Sequence, residues 1–99
     1  MNADTRVDQA RQALGPVGAM LPVTFSNAVP VDIQRAAVQG LERAGYRATW
    51  TNEVLGGKDA LMQVAVLLAA TERMTFGTGI ANIWARQPET MQAAAALLA

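Results

Sequence analysis

The sequence contains neither cysteine nor histidine. Without cysteine there are no disulfides, thiol nucleophiles or thiolate zinc sites in this chain, and without histidine the commonest general base is missing too. Acid–base chemistry therefore falls to Asp, Glu, Lys, Tyr or a bound cofactor, and no metal site is expected. A cysteine-free chain suits the reducing cytoplasm. Charge is also scarce: eight basic and eight acidic residues among 99 cancel to zero. That balance lacks the basic footprint of a nucleic-acid binder and offers no acidic tail. Long apolar runs are missing as well. VAVLLAA at 64–70, a length that no other run exceeds, falls far short of the ~18 residues that span a bilayer. The opening MNADTRVDQARQALG carries acids and no apolar segment, so no signal peptide is expected. Neither nucleic acid nor membrane is an expected partner. What the chain has in quantity is apolar side chain, at 52%, enough for a packed core and too much for disorder.

Periodicity and punctuation divide the sequence into helix, then three strand–helix units. Val7, Ala10 and Leu14 recur at helical spacing over 4–14, Asp4 offers a cap, and Gly15-Pro16 ends the run. This helix is expected to cover the bottom of the domain. VGAMLPV (17–23) reads as a buried strand, and TFSNA as a polar loop. Pro30 opens a helix with Ile33, Ala37, Leu41 and Ala44 on one stripe, Asp32 and Arg43 suiting its dipole, and Gly45 at C′. YRATWTN (46–52) is the second strand, and EVLGG a loop. Asp59 caps a helix predicted to reach about Arg73. MTFGTGI (74–80) is the third strand and ANIWARQ a loop, after which Pro88-Glu89 opens a helix still running at Ala99. The predicted organisation is thus an N-terminal helix over 1–15 and an α/β domain over 16–99 with a parallel sheet.

Two parallel architectures compete. A dinucleotide-binding sheet wants G-x-G-x-x-G after its first strand, but that turn here has no glycine, and Gly77-x-Gly79 opens no helix directly. A TIM (β/α)8 barrel keeps its site in the loops at the carboxyl ends of its strands. The distinctive side chains collect at those ends: Phe25, Ser26, Asn27, Asn52, Glu53, Asn82, Trp84 and Arg86. A barrel takes roughly 200 residues or more, so about three βα units point to the N-terminal portion of a TIM barrel, or to a partial barrel that assembles with something else. Read from residue type alone, Gly79 is an ordinary strand-end bend, Asn52 and Glu53 either serve ligand or satisfy loop backbone, and Trp84 packs on its neighbours. Arg86 is then a solvated loop side chain, or else it pairs with Glu53 or an anionic cofactor tail.

The phrases GYRATWTNE, LLAATERMTFGTG and TGIANIWARQPETM resemble the N-terminal part of the luciferase-like monooxygenase superfamily. The similarity is greatest to oxidoreductases that use the deazaflavin coenzyme F-420, and it extends over residues 15–99. The resemblance implies a TIM barrel that binds coenzyme F-420, or alternatively FMN, and moves a hydride to or from a small organic substrate. It implies a cis Gly79–Ile80 peptide behind the ring of the cofactor. Thr78, Gly79, Ile80, Ala81 and Asn82 would then be cofactor-binding, Asn52 and Glu53 catalytic, and Phe25, Ser26, Trp84 and Arg86 pocket-lining. Many relatives have histidine after the acidic residue; here Val54 stands there, so their histidine chemistry does not carry over. Later strands hold the phosphate-bearing tail in such proteins, so a chain of three units is expected to be inactive alone.

The helix predicted from Asp59 has two apolar faces. Leu61, Val64, Ala65 and Leu68 form one stripe for the barrel, while Met62, Val66, Leu67 and Ala70 point elsewhere. Polar surface is left mainly to Gln63 and Thr71-Glu72-Arg73. A second apolar face predicts a partner, and relatives that dimerise through this half make a homo-oligomer the expected one. Three functions are compatible with these features: an F-420-dependent oxidoreductase, an FMN-dependent monooxygenase, or a non-catalytic partial barrel acting in assembly.

Overall fold

The computed structural model describes residues 2–21 and 29–99. The elements are α1 (Ala3–Leu14), β1 (Ala19–Met20), α2 (Val31–Arg43), β2 (Ala48–Thr51), α3 (Ala60–Ala69), β3 (Thr75–Thr78) and α4 (Pro88–Leu98). The strands pair in parallel in the order β1-β2-β3. This is the expected α/β alternation, and it is compatible with part of a (β/α) barrel. Among the described residues the sheet is open, with β1 and β3 as its edges. Strands β2 and β3 are shorter than predicted and β1 starts two residues later. Leu21 N–H extends the β1 ladder to Trp50 O at 2.8 Å, while Pro22 and Val23 of the predicted strand and the TFSNA loop lie outside the described residues.

Local chemistry fixes the helix ends. Asn2, rather than Asp4, caps α1: its side-chain oxygen accepts from Thr5 N–H at 2.8 Å, leaving Asp4 inside the first turn. No residue of α1 is buried, so its apolar stripe does not make the expected cover. Its last turn is held instead by polar contacts at the amino ends of the strands. Arg47 donates to Gln12 O at 2.8 Å and the Thr75 hydroxyl to Ala13 O at 3.5 Å. Asp59 caps α3 by accepting from Met62 N–H at 2.9 Å, as predicted. Pro88 takes the first turn of α4, where its missing N–H costs nothing. Gly45, at φ 99°, follows α2 in the left-handed region.

Two helix faces differ from the sequence expectation. On α2 the buried residues are Gln34 and Val38, while Ile33, Ala37 and Ala44 are exposed. The helix is turned by one residue, and Lys58 donates to the Gln34 amide oxygen at 3.3 Å, which makes that burial tolerable. On α3 the buried face is Ala60, Gln63, Val64 and Leu67. Leu67, expected to point away from the core, is completely buried. Gln63, expected on the surface, is only 6% exposed. Helix α3 also stops at Ala69 instead of Arg73. Ala70 and Thr71 N–H close onto Leu67 O and Leu68 O, and the Glu42 carboxylate takes Glu72 and Arg73 N–H.

The core sits between sheet and helices. Leu21, Val38 and Leu67 pack together, with Phe76 against them. By register, Ala19, Thr49 and Phe76 share this helix-facing side, and Met20, Trp50 and Gly77 share the other. On that second side the Trp50 ring lies across Gly77, whose missing Cβ would fall 2.2 Å from two ring carbons. The first turns of α2 and α4 carry Asp32 and Glu89, and Asp59 caps α3. Each of these helix starts therefore meets the carboxyl end of the sheet with an acid in place.

Candidate active site

The end of β2 delivers Asn52 and Glu53, and the end of β3 delivers Gly79 to Asn82. These two loops meet through one carboxylate. Glu53 accepts from Ala60 N–H at 2.7 Å and Asn82 N–H at 2.8 Å, and it pairs with the Arg86 guanidinium. Side-chain exposure is 3% for Glu53 and 8% for Arg86, so this is a buried pair and Arg86 is not a solvated loop residue. Arg86 also reaches Asp59 at 3.0 Å and Asn82 O at 3.3 Å. Asn82 turns its own side chain back to accept from Trp84 N–H at 2.9 Å, a local turn that Asn favours.

The electrostatics are set by these partners. Burial alone pushes the Glu53 carboxyl up, but the Arg86, Ala60 and Asn82 hydrogen bonds outweigh it and hold the group below its ordinary value. Asp59 is held down by Met62 N–H against the opposing effect of burial, with help from Arg86. Arg86 is raised by its bonds to Glu53 and Asp59. Glu53 is therefore ionised at neutral pH, and three donors already engage its carboxylate.

The other predicted positions divide clearly. Asn52 keeps a side-chain oxygen that is buried and has no hydrogen-bond partner among the described residues. Thr78 is half-buried beside Thr51 in the ladder, and Gly79 N–H donates to Thr51 O. The Gly79–Ile80 peptide is cis. Among the described residues, a Cβ placed on Gly79 would meet only the Met20 methyl, at 3.7 Å. Ala81 and Asn82 are half-buried, and Ile80 is 69% exposed. Trp84, at 84% exposure, does not pack as its residue type suggested. Phe25 and Ser26 lie outside the described residues. Among the described residues no group of three or more acids is placed to hold a metal ion.

Sequence reasoning missed two participants. Asp59 was legible only as a helix cap, yet it also meets Arg86. Trp50 was legible only as a strand residue, yet it spreads over the sheet face that leads up to Gly79. The glycine at 77, matched in register to Trp50, was the available signal for the second.

A family model described as luciferase-like monooxygenase matches residues 9–99. No curated protein and no solved structure matches the chain.

Proposed function

Since the chain belongs to the luciferase-like monooxygenase family, which suggests an oxidoreductase, we propose that it contributes the ring-binding part of a flavin-type cofactor site. The ring is that of coenzyme F-420, and the partner in hydride transfer is a small organic substrate. One observation carries this reading. Among the described residues, the carboxyl end of β3 presents an open step at Gly79 and an exposed apolar Ile80, and the adjoining end of β2 carries the unpartnered oxygen of Asn52. An orphaned buried acceptor and an uncovered glycine step fit a flat ring with polar edges. Gly79, Ile80 and Ala81 back the ring, and Thr78 and Asn82 flank it. When bound, the cofactor supplies the redox chemistry, and the protein supplies orientation and exclusion of water.

The chain's own groups divide that work. Asn52 accepts a hydrogen bond from the ligand. Glu53 carries no mobile proton, because its carboxylate is ionised and occupied by three donors. Trp84 forms exposed wall. The exposed Met62 and Ile33 favour a second copy docking on the outer faces of α3 and α2, in the cytoplasm. Fluorescence titration of the protein with F-420 and with FMN tests the reading. Saturable F-420 binding is the expected result, FMN binding alone moves the reaction to an oxygen-using monooxygenase, and binding of neither refutes the site.

The open edges at β1 and β3 favour a second reading, a partial barrel whose task is assembly. It requires an oligomer in sedimentation and no binding of either cofactor.

A further inference from the structure

We propose that Glu53 and Arg86 act as one positioning unit, gripping the Asn82 backbone from both sides and so setting the 79–82 segment on which the cofactor ring rests. This inference depends on the ring-binding reading above. It starts from how few other anchors that segment has among the described residues. Gly79 N–H is tied to the sheet through Thr51 O. Among the described residues the next inter-element anchor along the chain is Asn82, whose N–H donates to Glu53 at 2.8 Å and whose C=O accepts from Arg86 at 3.3 Å. The two gripping side chains also pair with each other, 33 residues apart in sequence.

The rest of the network braces the grip. Glu53 is fixed a second time by Ala60 N–H at 2.7 Å, at the start of α3, and Arg86 by Asp59 at 3.0 Å, at the cap of the same helix. The buried core therefore locates the pair, and the pair locates Asn82. Ile80, two residues earlier, lies between a sheet anchor and a side-chain anchor while its own side chain stays exposed. A pair needed only to join two loops could use any contact between them. Gripping both polar groups of a single residue fixes where that residue sits and how its peptides face. Neither Glu53 nor Arg86 has to touch the ligand for this, so both are positioning residues.

The test uses the full chain with Glu53→Gln, Arg86→Lys and Arg86→Met, each checked for a cooperative melt. F-420 and FMN are titrated separately. Two further readouts are the induced circular dichroism of the bound ring and hydrogen exchange at the Asn82 amide. Glu53→Gln and Arg86→Met are expected to weaken binding by about tenfold or more, the usual scale when partners that orient a ligand-holding group are lost. Both should alter the ring's dichroism and speed Asn82 exchange, while the double variant loses little beyond either single one. Arg86→Lys keeps the charge without the fork and should fall between. Folded variants that bind as tightly as the parent, with unchanged dichroism, overturn the positioning role and leave the ring-binding reading intact. A parent chain that binds neither cofactor overturns that reading, and this inference with it.

Discussion

Replacing Gly77 with alanine tests the packing of the sheet face that carries the site. The added Cβ would lie 2.2 Å from Trp50 Cε3 and Cζ3 and 2.9 Å from Cη2. Ordinary carbon contacts lie at about 3.5–4.0 Å, so the ring must retreat by roughly 1.5 Å. On its other edge the ring faces Gly18, whose absent Cβ would fall 3.0 Å from Trp50 Nε1, so the space on that side is at most that of one missing side chain. A tryptophan buries about 150–250 Å². Giving up ~100 Å² of that costs about 2.5 kcal/mol at ~25 cal/mol per Å². If the ring stays and the backbone yields instead, overpacking costs about 1–3 kcal/mol. Either route removes about 2 kcal/mol from a domain that keeps about 5–15. Urea unfolding monitored by Trp50 fluorescence, in a Trp84→Phe background, reads this as a midpoint lowered by about 1–2 M. In a Trp50→Leu background the same substitution should turn neutral or slightly stabilising, because alanine is stiffer than glycine by about 0.5–1 kcal/mol in a strand. A loss below about 0.5 kcal/mol, or an equal loss with and without the ring, would refute the reasoning.

Gly45→Ala meets no atom within 4 Å but must hold φ at 99°, so it should cost about 1–2 kcal/mol through backbone strain alone; thermal melts with Gly45→Asn, which tolerates this region better, check the cause. Asp59→Ala removes the cap of α3 and the second partner of Arg86, and a loss of about 1–2 kcal/mol is expected in urea titrations. The pH dependence has a definite sign. Glu53 is held below its ordinary 4.5 in the folded state, so its contribution is fully present above that value and fades as pH falls through the lowered one. Asp59 and Glu42 are shifted in the same direction. Unfolding midpoints measured from neutral pH to about pH 3 should therefore fall, and Glu53→Gln should flatten that fall without abolishing it.

Much of the fold was legible because its punctuation is local. Gly45, Asp59 and Pro88 act within a turn of themselves, and they mark boundaries where the structure has them. The order of strands and helices came from such signals. The helix faces were harder. Nearly every residue of α3 is apolar, so its sequence carries little direction, and a rule that places glutamine outside fails for Gln34 and Gln63. Burial of Gln34 depends on Lys58, which lies 24 residues away in sequence. The same limit applies to the site. The residue types at the strand ends drew attention to the two loops that the structure joins through Glu53, Asn82 and Arg86. That Glu53 and Arg86 meet, and that both then hold Asn82, is a fact of folding across 33 positions. No local pattern decides it: by residue type Arg86 reads as a solvated side chain, with pairing to Glu53 or to an anionic tail as the alternatives, and folding selects the Glu53 pair.

The acids at the helix starts have a consequence for how a ligand arrives. Helices α2, α3 and α4 bring the positive ends of their peptide dipoles, about half a charge each, to the rim where the loops gather. Asp32, Asp59 and Glu89 meet those ends from within the chain, and Glu53 answers Arg86 beneath them. Arg35, paired with Asp32, and Lys58, next to Asp59 in the chain, add the remaining positive charge, so the rim comes close to neutral and casts little field into the surrounding solvent. For the ligand proposed above, capture at such a mouth is expected to proceed by unguided collision, with a rate nearly indifferent to ionic strength. Selection among ligands is left to short-range fit once they are inside.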